Sequence, residues 1–435
     1  VIHVLGMNFI PSHRHLQDRS ETHAVRIQAA ARAVADRAGE RADALDRDGG
    51  FPAEDITHAH RAGLLAAPLP VALGGAGLDA PAMAPVLADV LAQIGRGSLA
   101  LGRLYEGHVN ALSLVLRYAE PAVMERLAGD VRAGHLFGVW NTQPQAGGLS
   151  LEKVGGLSLE KAGLSPEEAG GPSLAIPDGP APAGDAWMLA GVKSFASGAG
   201  SVTRPLVTAR RPDGRQQMLI ADLETGTRAD LSGWQAQGMR ASTSGLLDFT
   251  GLPAGPGCFV GGPDDYFAEP HFSAGAWRFA AVQLGGIEAV FDVLRAHLRA
   301  TGRGGDPHQA ARLGEAAIAV EGARLFVAQA ARLAADPGAE PDRVIAYVNL
   351  TRLAVERAGL DVLERAHRSV GLAGFLSPHP LERLARDLAT YLRQPGPDRA
   401  LTSAAAYVLG DARPADRLWR DSAGAPGPDE GPADL

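Results

Sequence analysis

The stretch Gly191-Val192-Lys193-Ser194-Phe195-Ala196-Ser197-Gly198-Ala199 decides how this chain is read. A short run bounded by Gly191 and Gly198 is the pattern of a short strand ending in a turn. Successive side chains on a strand point to opposite faces. Phe195 and Ser197, two apart, are therefore expected on one face. Similar short runs surround this one: LFGVWNT from Leu136, PLVTARR from Pro205, QQMLIADL from Gln216 and GLLDFTGL from Gly245. Gly, Pro, Asp and Ser bound them, so residues 136–260 read as a β domain.

Outward from this region the period changes from two to between three and four. From Glu21 to about Asp48, Ala, Val and Leu recur at helical spacing until Gly49-Gly50 ends the pattern. Further helices are expected at about 51–62, 80–94, 99–118 and 121–133, with a Gly-rich loop at 68–78. Residues 21–135 thus form a helical domain. Beyond the β domain, helical segments at 267–301, 308–335, 342–370 and 381–409 are separated by short Gly- and Pro-containing links. That arrangement describes an up-down four-helix bundle over 261–410. The expected fold is α+β and multidomain: an N-terminal helical domain, a middle β-barrel-like domain and a C-terminal four-helix bundle. Residues 1–20 are read as a disordered leader and 411–435 as a disordered tail. GGLSLEKV at 147–154 is nearly repeated as GGLSLEKA at 155–162, a loop insertion over about 147–172.

Composition narrows the function. The 435 residues are 46% apolar and 21% charged, ordinary for a soluble globular protein. No run approaches the roughly 20 apolar residues of a membrane helix. The net charge of -8 excludes a nucleic-acid footprint. Cys258 is the only cysteine, which rules out an internal disulfide and a thiolate metal cluster and suits a reducing cytoplasm. His58 and His60 lie two apart on a helix and do not face each other, and no His/carboxylate cluster has ligand spacing, so no metal site is expected.

Six motifs occur in order: FPAEDITHAHRAGLLAAPLPVALGGAGLD at 51–79; WNTQP at 140–144 followed by Ala146-Gly147-Gly148; the Gly191–Ala199 strand; GMRASTS at 238–244; RATGRGGDPHQ at 299–309; and GLAGF at 371–375 with LERLARD at 381–387. Together they resemble the acyl-CoA dehydrogenase family over about residues 22–410. The resemblance implies FAD binding and hydride transfer from an acyl-type substrate, such as an acyl-CoA, to flavin N5. It places Thr142 at the flavin's pyrimidine edge, Phe195 against the isoalloxazine and Ser197 near N5. It lets Arg299 and Gln309 reach FAD bound by a neighbouring subunit, in a homodimer or homotetramer. It sets Gly371 near the pyrophosphate, with Leu372 where the family has a second glycine. Arg386 and Asp387 read as structural charges.

The chain departs from the family at the catalytic base. Nine residues past Arg386 stands Pro395, where most members carry Glu, and the alternative position reads Ala276-Trp277-Arg278-Phe279. General-base help is worth about 10²–10⁴ in rate. Three readings stay open: a dehydrogenase with a displaced base, for which Asp398 is the candidate; a monooxygenase using reduced flavin, FMN or FAD, and O₂, supplied by a flavin reductase, with His108 as a proton-handling candidate; and a non-catalytic flavin-binding scaffold.

Overall fold

The structure is a computed structural model that describes residues 13–144, 146–153 and 187–420. Among the described residues the N-terminal region has five α-helices: α1 (His13–Asp48), α2 (Ala53–Arg61), α3 (Ala84–Gly97), α4 (Leu99–Tyr118) and α5 (Pro121–Arg132). Helix α1 begins inside the stretch expected to be a leader. Ser98 caps α4 by accepting a hydrogen bond from the Leu101 N–H at 3.2 Å. Pro121 occupies the first turn of α5, where its missing N–H costs nothing.

Among the described residues the β domain has ten strands: β1 (Phe137–Trp140), β2 (Ser150–Lys153), β3 (Trp187–Ala190), β4 (Val192–Ala196), β5 (Arg204–Arg210), β6 (Gln216–Ile220), β7 (Ala229–Asp230), β8 (Gly245–Asp248), β9 (Pro253–Ala254) and β10 (Phe259–Val260). The larger sheet runs β10-β6-β5-β2-β3-β9, with β1 joining β5 in parallel. The smaller runs β4-β8-β7. Strand β5, central and buried over five of its seven residues, is the hub of the larger sheet. Of the duplicated segment, residues 154–162 lie outside the described residues, as does the rest of the expected insertion to 172.

The C-terminal part contains α6 (His271–Ala274), α7 (Trp277–Ala300), α8 (Pro307–Ala335), α9 (Pro341–Val370), α10 (Pro380–Tyr391) and α11 (Pro397–Gly410). The fourth bundle segment is two helices rather than one. Pro395 and Pro397 flank Gly396, which sits at φ +65°. Proline removes an N–H and keeps the preceding residue out of the α region, so the helix breaks there. The stretch read as a disordered tail is ordered as far as residue 420. Trp419 stacks on Tyr407 with ring centroids 5.8 Å apart, and Arg343 donates to the Arg420 carbonyl at 2.7 Å. Residues 421–435 lie outside the described residues.

Two features join these parts. Helices α3 and α7 pack backbone on backbone: a Cβ on Gly285 would overlap the Ala92 carbonyl oxygen, and one on Gly95 the Val282 carbonyl oxygen. The second is a polar junction on α10. Arg386 donates to Asp46 of α1, to Glu382 and to the Gln237 carbonyl, each at 2.6 Å. Asp387 accepts from the Met239 N–H at 2.6 Å and from Arg383 at 3.1 Å. Gly238 is required at this contact, because a Cβ there would overlap the Arg386 carbonyl.

Breaking a buried pair costs about 3–5 kcal/mol, whereas an exposed pair contributes about 0–1 kcal/mol. Asp387→Ala strands both the Met239 N–H and Arg383. It is expected to lower the denaturation midpoint strongly, while Glu364→Ala, which breaks the exposed pair with Arg368, leaves it nearly unchanged. Equal shifts in urea melts of the two variants would remove the junction from its structural role.

Candidate functional site

Strand β4 builds the site from a buried lysine. Lys193 is fully enclosed, and its ammonium donates to the Asn141 carbonyl, Gln143 Oε1 and Thr208 Oγ1, each at 3.1 Å. Three acceptors satisfy its three donors without a carboxylate. Burial pushes its pKa down to about 8. The lysine fastens residues 141–143 over β5, and the Ser194 N–H bonds the Thr142 carbonyl at 3.0 Å. Thr142 is thereby held beside β4 with its side chain exposed.

The alternation expected for β4 is interrupted. Register against β8 shifts between Lys193 and Ala196. Phe195 takes φ +52° and stands 70% exposed, while Ser197 is buried. The two therefore do not share a face by simple strand alternation. A left-handed aromatic residue is a true outlier, worth about 1–3 kcal/mol of strain that the surroundings must hold. They do so through a serine network. Trp140 Nε1 donates to the Ser197 carbonyl at 3.0 Å, and Gly198 N–H to the Ser242 carbonyl at 2.8 Å. Ser244 Oγ donates to Ser197 Oγ at 3.1 Å, and the Ser242 and Ser244 hydroxyls lie 3.0 Å apart. Thr243 between them is also left-handed, at φ +41°, and its Oγ1 is buried without a protein partner. An exposed flat ring held under strain, next to short hydroxyls with one left unpaired, suits a flat heteroaromatic ligand with polar edges. These residues fit a flavin.

The other candidates sit elsewhere. His108 is fully buried; its Nε2 lies 2.8 Å from the Leu65 carbonyl, and its Nδ1 accepts from the Phe137 N–H at 3.1 Å. A carbonyl needs a donor, so the proton is on Nε2. Burial lowers the pKa from 6.5 to about 4. Both nitrogens are committed to joining α4 to its neighbours, and neither is free to handle a proton at a flavin. Asp398 is exposed in the first turn of α11. Arg299 is exposed in the last turn of α7. Gln309 is buried; with its amide oriented to satisfy its neighbours it donates to Ser369 Oγ at 2.8 Å and accepts from Arg303 and Arg312. Gly371, at φ +76°, ends α9 two residues beyond Ser369, so Gln309 and Gly371 belong to one end of the bundle.

A deeper polar cluster was missed by the sequence reading. On α4, Arg103 donates to Glu106 at 2.7 Å, and Asn110 donates to the other Glu106 oxygen. Arg278 of α7 reaches Ser113 at 3.1 Å and Asp79 at 3.3 Å. Tyr391, at the end of α10, has a buried hydroxyl without a protein partner, and burial holds its pKa well above the usual phenol range. The available signal was a charged pair three residues apart inside the otherwise apolar LALGRLYEGHVNAL.

Residues 20–135 match the description "Acyl-CoA dehydrogenase, N-terminal domain", and residues 266–410 "Acyl-CoA dehydrogenase, C-terminal domain". The chain belongs to the acyl-CoA dehydrogenase family. Its fold, three regions in the expected order, is that of the family's flavin-dependent oxidoreductases. It is 24% identical over 401 residues to dibenzothiophene monooxygenase of Mycolicibacterium goodii, covering 85% of this chain and 90% of that protein. FMN-bound TdsC from Paenibacillus sp. A11-2 superposes with a TM-score of 0.73 at 19% identity, over 91% of this chain and 100% of that one. Methanesulfinate monooxygenase MsuC from Pseudomonas fluorescens gives 0.70 at 20%, over 90% and 99%.

Two expectations follow. Phe195→Gly relieves the left-handed strain, so the flavin-free protein is expected to gain about 1 kcal/mol in stability while its flavin affinity falls. Loss of both in melts and flavin titrations would refute stored strain. For His108, the folded state resists protonation that the unfolded state accepts. Its contribution is present above pH 6.5 and is lost as pH falls toward about 4. His108→Gln is expected to flatten the fall of the urea midpoint across that window; an unchanged slope would assign the acid sensitivity elsewhere.

Proposed function

We propose that this protein is a flavin-dependent monooxygenase that takes reduced FMN from a separate reductase and inserts one oxygen atom of O₂ into a small organic substrate. The observation that carries this reading is the fate of the base positions. Pro395 lies exposed in the break between α10 and α11, and Ala276–Phe279 contains no carboxylate. The end of α10 brings a tyrosine, Tyr391, into the interior instead. The buried carboxylate beside it, Glu106, has both oxygens occupied by Arg103 and Asn110. An α-proton abstraction has no free carboxylate there among the described residues. An oxygenation needs none.

Reduced flavin supplies the two electrons that split O₂, one atom going to substrate and the other to water. The chain's part is to hold and shield it. Phe195 forms an apolar wall, Ser197 and Thr243 offer hydroxyls, and Lys193 keeps Thr142 in place from below. FMN is favoured over FAD because Leu372, 76% exposed, stands where a second glycine would let a pyrophosphate approach. FMN in TdsC agrees. A second copy of the chain is part of the proposal. Ile318 (76%) and Leu325 (55%) expose an apolar stripe on α8, and Arg299 projects freely at the bundle end. Dependence on a reductase and the lone cysteine suit the cytoplasm.

The test is an anaerobic titration of FMN-loaded protein with a panel of acyl-CoAs, followed by turnover with a reductase, FMN and ¹⁸O₂ on dibenzothiophene, indole and methanesulfinate. No bleaching by any acyl-CoA and ¹⁸O in a product are expected. Bleaching by a thioester without reductase would return the dehydrogenase reading and point to Asp398.

A further inference from the structure

Lys193 holds Thr142 by gripping the residues on either side of it. Its ammonium donates to the Asn141 carbonyl and to Gln143 Oε1, each at 3.1 Å. The third bond goes to Thr208 Oγ1 on β5, also at 3.1 Å. That hydroxyl gives its own proton to Asn141 Oδ1 at 2.5 Å, so towards the lysine it only accepts. A backbone carbonyl likewise only accepts. Three acceptors around one nitrogen require three N–H groups, and only the charged form of lysine has them.

Among the described residues no carboxylate supports that charge. Strand β8 sets Leu247 opposite Lys193, and β1 carries no titratable group. Arg204 of β5 is turned to Asp130, Arg210 is exposed at the end of that strand, and Asp248 of β8 accepts from the Thr250 N–H. Burial alone lowers the lysine's pKa, to about 8. A neutral amine has two N–H groups and a lone pair. With the Asn141 carbonyl and Thr208 fixed as acceptors, the lone pair is left facing Gln143 Oε1. Gln143 is exposed, so it is the partner that can turn away. Its amide also lies on Gly148, where a Cβ would come within 2.8 Å of Gln143 Cδ. Gln143 thus links the lysine to the Gly147-Gly148 edge, which bonds Val192 of β4.

We propose that Lys193 is a positioning residue of the flavin site: as an ammonium it clamps both flanks of Thr142, and loss of that proton releases Gln143 and weakens flavin binding. This rests on the flavin-dependent reading, in which Thr142 stands at the flavin's pyrimidine edge. Proton and flavin favour the same form, so the coupling is reciprocal and flavin binding draws a proton onto the lysine. Flavin affinity and stability then move in opposite directions with pH. A lysine whose folded pKa lies below its unfolded value destabilises the fold below the folded value. That penalty fades as pH rises towards the unfolded value of about 10.4. A lysine that only completes the core shows no such opposition.

The experiment is calorimetric titration of the full chain with FMN between about pH 7 and about pH 9.5. Each point is taken in two buffers of different ionisation enthalpy, with urea melts of the flavin-free protein alongside. Wild type, Lys193→Met and Gln143→Ala are compared, so that titration of FMN itself is common to all three and cancels. Wild-type affinity relative to Lys193→Met is expected to fall about tenfold over this range, the equivalent of one pKa unit. Binding takes up a proton near the middle of the range, and the wild-type urea midpoint rises relative to Lys193→Met. Gln143→Ala removes an exposed side chain and one acceptor of the ammonium, and moves the affinity step to lower pH. It decides the matter should Lys193→Met fail to fold, an unmoved step counting against the proposal. Parallel affinity profiles in wild type and variants, or no proton uptake in the wild type, overturn the positioning role and leave FMN binding standing. FMN binding at no pH overturns the flavin reading itself, and this inference with it.

Discussion

One arginine and the aspartate after it hold the molecule's three parts in register. Arg386 grips α1 through Asp46 and the β domain through the Gln237 carbonyl, while Asp387 fixes the Met239 N–H. Everything that makes the candidate site depends on this contact, because the chain leaving Met239 runs directly into Ser242, Thr243 and Ser244. The price of putting charges there is met by geometry: each oxygen and N–H finds a partner, which is the condition under which buried ion pairs are tolerated at all. Side-chain packing alone could not set this seam to the same precision, since apolar contacts carry no direction.

The seam explains why strain can persist at Phe195. An aromatic residue at φ +52° relaxes unless its flanks are fixed, and they are fixed on both sides. Lys193 is anchored to Asn141, Gln143 and Thr208, and Ser197 is held by Trp140 and Ser244. The exposed ring is thus the free end of a rigid frame. Helix α4 then links this frame to the interior. His108 bonds the start of β1, Leu104 packs on Gly198, and Arg103 and Glu106 sit on the side nearer α10. One helix therefore connects the Gly198 flank of this frame with the Arg103–Glu106 pair.

The general architecture was legible because it is written in local periodicity. Helical spacing before residue 135 and after 266, with alternating runs between, needs no knowledge of contacts. Local rules also contained the break at Pro395-Gly396-Pro397, which a count of apolar residues passes over. What stayed hidden was set by tertiary partners. Phe195 and Ser197 looked like neighbours on one strand face because a register shift against β8 leaves no mark in β4 itself. His108 looked available because its two partners, the Leu65 carbonyl and the Phe137 N–H, are backbone groups that any sequence would supply. Arg103 and Glu106 drew no reading, because an i,i+3 charge pair in a helix carries no sign of what packs against it.

The groups at and beyond the end of α10 bear directly on the chemistry: Tyr391 is buried there, and Pro395 beyond it is exposed. A carboxylate in the interior takes a proton from substrate and must be charged, solvated or paired beforehand. A phenol whose pKa is held above its usual range stays protonated; it donates or accepts hydrogen bonds but takes no proton from substrate. Around it the guanidinium of Arg103 only donates, and Glu106 is spent on holding it. Glu106, with both oxygens engaged, is therefore not free to take a proton. The proposed oxygenation is compatible with such an interior, because it asks no carboxylate for an α-proton.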